Sequence, residues 1–114
     1  MSNLDNLIKI FSGRNDISTI DLREALLFLE VGFIKLNNST QGRHLLVDLP
    51  EREMINFAIQ DSISSYWPNL ALQWLEEKND ALTIDMIEIL NLSRQHKWAT
   101  QEYKHRLYKL IKRQ

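Results

Sequence analysis

Residues 21–36, DLREALLFLEVGFIKL, carry apolar side chains on two sides of any helix they form, and no other feature constrains the chain as much. Leu22, Ala25, Leu26, Leu29, Phe33 and Leu36 fall on one stripe at spacings of three and four, and Leu27, Phe28, Val31 and Ile34 make a second. A helix apolar on both sides must be covered on both sides, so this one is expected at the centre of a helical assembly. Its start is marked as well. Ser18 is a natural N-cap, Asp21 takes the acidic position of a capping box, and Ile17 and Leu22 are spaced as a hydrophobic staple.

A second reading competes over the following residues. VGFIKL and RHLLVDL flank NNSTQG, so residues 31–49 could instead form a β-hairpin, which would make the domain α+β. The unbroken helical stripe through Phe33 and Leu36 favours the helix, and the hairpin stays open as the alternative.

The rest of the chain reads as helical. Only three glycines and two prolines punctuate 114 residues, which implies long elements and few tight turns. A first helix runs from Asn3 to about Phe11, capped by Ser2 and ended by Gly13. Pro50 opens another, with Asp48 as its cap and Glu51 inside it, carrying a stripe of Ile55, Ala58, Ile59 and Ile63 joined by Tyr66. Pro68 starts a short helix. Asp80 or Thr83 starts the next, with Ile84, Ile87 and Leu90 on one side and Leu82, Met86 and Ile89 on another. The last follows Trp98, with Tyr103, Leu107, Leu110 and Ile111 at spacings of three and four. The expectation is a single all-α domain over 1–114: a bundle, or a short stack of hairpins in the manner of HEAT pairs, of five or six helices.

Chemistry-bearing motifs are sparse. The chain has no cysteine, so disulfides, thiolate catalysis and cysteine-based zinc sites are excluded. Gly13, Gly32 and Gly42 are isolated, and no serine sits in a nucleophile elbow. Glu102 and His105 form a single Glu-x-x-His, where helical di-metal sites need two copies and further carboxylates. The carboxylate pairs Glu51/Glu53 and Glu76/Glu77 read as solvent-facing. No catalytic residue, metal or cofactor is expected, and an enzyme would need a pocket joining His44 or His96 to an acid. MSNLDNLIKIF lacks the basic start and apolar run of a signal peptide, and no stretch reaches the ~18 apolar residues of a membrane span, so a cytoplasmic, non-membrane protein is expected.

Charge gives two candidate surfaces. Residues 1–93 carry seven Lys/Arg against fourteen Asp/Glu, whereas residues 94–114 carry seven against one. Within LEEKNDALTIDMIEIL, Glu76, Glu77, Asp80, Asp85 and Glu88 are opposed only by Lys78 and lie beside Trp74, an arrangement suited to a protein partner. Trp67 and Trp74 themselves read as structural. In YKHRLYKLIKRQ, Lys104, Arg106, Lys109, Lys112 and Arg113 are interleaved with Tyr103 and Tyr108, mixing phosphate-binding charge with stackable rings. Cations in a final helical turn also complement the helix dipole, a structural role that competes with nucleic-acid contact.

A small, cysteine-free helical chain with an acidic body and the segment QWLEEKNDALTIDMIE resembles the bacterial immunity proteins of contact-dependent growth inhibition and bacteriocin systems. The resemblance is one of class and carries no motif. It implies a non-enzymatic protein that binds and neutralises a basic toxin, such as a nuclease, through Glu76, Glu77, Asp80, Asp85 and Glu88. The alternative is a small nucleic-acid-binding regulator using Lys104, Arg106, Tyr108, Lys109, Lys112 and Arg113.

Overall fold

The computed structural model describes residues 3–12 and 17–114, and within them the chain forms eight helices and no strand. They are α1 (Asn3–Phe11), α2 (Leu22–Val31), α3 (Phe33–Asn37), α4 (Thr40–Asp48), α5 (Glu51–Gln60), α6 (Tyr66–Lys78), α7 (Ile84–Ser93) and α8 (Gln101–Lys112). The all-α expectation holds. The hairpin at 31–49 is not formed: α3 and α4 occupy it, and Ser39 caps α4 by accepting from Gly42 N at 3.2 Å. Ser2 and Gly13, proposed as the boundaries of α1, lie outside the described residues.

The helix count exceeds five or six because one expected helix is two and because α4 forms where no helix was expected. Gly32 has φ +94°, a conformation that side-chain-bearing residues rarely adopt, and it ends α2 one residue before α3 begins. The stripe through Phe33 and Leu36 is therefore carried by a second short helix. The start of α2 is also later than expected. Asp21 itself is the N-cap, accepting from Arg23 N at 2.8 Å, and Ser18 sits in the turn before it.

α2 is the central helix. It touches α1, α3, α5 and α6, and Ala25, Phe28 and Leu29 are almost wholly buried. α4 lies over α3 and α1, approaching closely at Gly42, where an added Cβ would collide with the Leu36 carbonyl. α5 follows without a side-chain cap, since Asp48 closes α4 and Pro50 occupies the N-cap position. Ile55, Ala58 and Ile59 are buried as expected, but α5 stops at Gln60, so Ile63 (98% exposed) and Tyr66 leave the stripe.

α6 is the longest helix, not a short one. It begins two residues before Pro68, which the first turn accepts because the amide there lacks an intrahelical partner anyway. Asn79, in the left-handed conformation, ends it. α7 packs on α5, and α8 packs on α6. Thr83 and Thr100 cap these last two helices, accepting from Met86 N and Tyr103 N at 3.1 Å each. No helix among the described residues is long and apolar enough to cross a membrane.

Candidate functional site

The acids expected to form one edge are divided by the fold. Glu76 and Glu77 are neighbours on α6, and one residue turns a helix by about 100°, so they leave it in different directions. Glu76 meets Arg106 of α8 at 2.7 Å, and the same guanidinium donates to Asn69 Oδ1 at 3.3 Å. Glu77 turns to the other side. It accepts from Ile34 N at 3.2 Å and from Gln73 Nε2 at 3.1 Å, which caps α3 where Gly32 has no side chain to do so.

Trp74 is structural, as expected. It is 1% exposed, with Phe33 edge-on at 5.5 Å, and its indole donates to Glu51 Oε2 at 3.0 Å. Glu51 also accepts from the Lys78 ammonium at 2.8 Å. The carboxylate pair Glu51/Glu53 is thereby split: Glu51 ties α5 to α6, and Glu53 remains exposed. Trp67 is half-buried against Tyr66.

The remaining acids lie around α7. Asp80 is exposed, with Lys78 Nζ 3.9 Å away. Asp85 is bonded by Arg52 of α5, whose guanidinium hydrogen bond and charge hold the carboxyl below its ordinary range. Glu88 is exposed and makes no ion pair with the described residues. Between these acids lie two residues that sequence reasoning missed. Ile84 (86% exposed) and Leu92 (51%) stand about two turns apart on the same outer face, with Glu88 one turn from each. Ile84 was placed on one side of the helix with Ile87 and Leu90, which are half-buried and buried. The available signal was the excess of apolar residues: six of the ten in α7 are aliphatic or Met, more than one covering helix can bury.

The basic set on α8 is divided as well. Arg106 is held by Glu76 and Tyr103 is buried, its hydroxyl 2.8 Å from Ser93 Oγ, with burial raising its pKa. Tyr108, Lys109, Lys112 and Arg113 are exposed and Lys104 is half-buried. These cations make no ion pair with the described residues, and the Lys112 ammonium lies 5.7 Å from the centre of the Tyr108 ring.

The histidines do not converge. His44 and Asp48 line one cleft of about 350 Å³ between α1 and α4, with no hydrogen bond between them. His96 stacks on Trp98 at 4.9 Å and meets Gln60 at 3.2 Å. His105 is exposed. No group of three or more His, Asp or Glu among the described residues is arranged to hold a metal ion. No family model matches this chain, and no curated protein or solved structure is found to be similar to it.

Proposed function

We propose that this chain is a non-enzymatic binding protein of the immunity type, which neutralises a basic toxin by covering it with the outer face of α7. The observation that supports this is the pairing of exposed Ile84 and Leu92 with the carboxylates of Asp80, Asp85 and Glu88. Aliphatic side chains on a rigid helix supply desolvated anchors, and acids around them set orientation and speed the approach of a cationic surface. Glu76 and Glu77 act behind that face, holding α8 and α3 to α6. A toxin with a cationic cleft, as in a nuclease, is the partner such a surface fits, and the cytoplasm is where it would be met.

The test pairs the chain with the toxin domain encoded beside it. Co-expression is expected to restore growth, and the purified proteins to form a stable complex. Ile84→Asp and Glu88→Lys are expected to weaken the complex by about 100-fold or more, with the thermal midpoint unchanged, because both residues are exposed. Failure to protect against the adjacent toxin would sink the immunity reading. Full affinity in both variants would move the contact away from α7.

A further inference from the structure

α7 and α8 run antiparallel and are linked at both ends by hydrogen bonds, although α7 packs chiefly on α5 and α8 on α6. Ser93, the last residue of α7, meets Tyr103 in the first turn of α8 at 2.8 Å, and Leu82 N, just before α7, donates to Gln114 Oε1 at 2.6 Å. These ties set the heights of the two helices: Ile84 is level with Lys112, Glu88 with Tyr108, Leu92 with Lys104, and Arg94 with Glu102. Despite this proximity, no ion pair joins an acid of α7 to a cation of α8. Asp85 is engaged by Arg52 of α5 and Arg106 by Glu76 of α6, while Glu88, Tyr108, Lys109 and Lys112 are exposed and form no ion pair with the described residues. The acids Asp80, Asp85 and Glu88 gather at the start of α7, and Lys109, Lys112 and Arg113 at the adjacent end of α8. At the opposite end the signs reverse, with exposed Arg94 and Lys97 following α7 and exposed Glu102 in the first turn of α8.

We propose that these two faces are complementary to each other in a second copy of this chain. A twofold axis running along the pair lays each α7 antiparallel over α8 of the other copy, at unchanged height, as a four-helix interface. The acidic start of α7 then covers the basic end of α8, and Arg94 and Lys97 cover Glu102. Glu88 falls against Tyr108 and Lys109. Ile84 packs on the aliphatic stem of Lys112. Turning the axis across the pair would instead lay α7 on α7 and α8 on α8, which sets Glu88 against Glu88 and Tyr108 against Tyr108. The complementarity selects the first arrangement.

The dimer stands on these charges alone. Its consequence for the toxin rests on the proposed function: a basic partner and the second copy's α8 would compete for one α7 face, so the unengaged protein would keep its acidic surface covered. Oligomeric state is measured without any toxin, so either idea can fail while the other survives.

The experiment is sedimentation of the full chain at about 100 µM in low salt and in about 1 M salt, where the Debye length falls to about 3 Å. The expected species is twice the 13.5 kDa chain mass in low salt, moving toward monomer in high salt. Glu88→Lys and Lys109→Glu are each expected to weaken self-association at least about tenfold, without shifting the unfolding midpoint. Mixed in equal amounts, the two variants are expected to dimerise again, since each presents the other with opposite charge at both contacts. A monomer in low salt at that concentration would overturn the proposal. So would a dimer untouched by both reversals, or a mixture that stays monomeric.

Discussion

The end of α6 and the face of α7 are both acidic and both lie next to large apolar side chains, yet the fold uses them in opposite ways. On α6, Glu76 binds Arg106, Glu77 caps α3, and Glu51 reaches over from α5 to receive Trp74 and Lys78. On α7, Glu88 faces water between Ile84 and Leu92. The difference comes from what stands opposite. α6 is flanked by α2, α3, α5 and α8, so a side chain leaving it meets another helix in most directions, whereas α7 packs chiefly on α5. A run of acids in sequence therefore marks neither an interface nor a solvated face until its neighbours are known.

The strongest way to break this contrast is to remove its apolar anchor. Trp74→Ala empties a wholly buried site and leaves the Glu51 carboxylate without its indole donor, and it is expected to cost about 3–5 kcal/mol of stability in urea unfolding. Binding by α7 should be lost only to the extent that the chain unfolds. A cost under about 1 kcal/mol would show that Trp74 is not core, and the two acidic regions would then be alike.

A finer comparison sets one carboxylate from each region side by side. Glu51→Ala leaves the Trp74 N–H and the Lys78 ammonium without their acceptor, and is expected to cost about 1–3 kcal/mol. Glu88→Ala removes nothing the described fold uses and should stay within about 0.5 kcal/mol. Equal costs by the same unfolding assay would erase the distinction between structural and surface-facing acids.

Helical periodicity made much of the fold legible, because it reports which residues share a face. The stripes of α2, α5 and α8 predicted Leu29, Ile55, Ala58 and Leu107 as core, and all are buried. Periodicity does not report where a helix stops. Gly32 and Gln60 end helices that the apolar pattern would have continued, which is why α3 was read as part of α2 and Ile63 as core. The site was less legible still, since the destinations of Glu76 and Glu77 depend on Arg106 and Ile34, 30 and 43 residues away. Nothing local distinguishes Glu76 from Glu88. Ile84 and Leu92 were hidden for the converse reason: burial is the ordinary fate of an aliphatic side chain at helical spacing, and their exposure follows from the number of helices covering α7.

The smallest expected effect lies at Asp85, which belongs to both descriptions, being bonded to Arg52 of α5 and placed on the outer face of α7. The hydrogen bond from Arg52, opposed by desolvation and helped by the Arg52 charge, lowers the Asp85 pKa from its ordinary 3.8. A carboxyl depressed in the folded state binds its proton less readily there than in the unfolded chain. The pair's contribution is therefore complete above the unfolded value and is lost as pH falls through the depressed one. Because both groups are about half exposed, that contribution should be small. Asp85→Asn is accordingly expected to lower stability slightly at pH 7 and to match the wild type once the pH lies below the depressed value. Carboxyl NMR should show Asp85 titrating below an ordinary aspartate. If Asp85 titrates as an ordinary aspartate instead, Arg52 does not hold it in solution. Asp85 would then act as Glu88 does, adding a fully available carboxylate to the α7 face and sharpening the division between an α6 whose acids are engaged and an α7 whose acids are not.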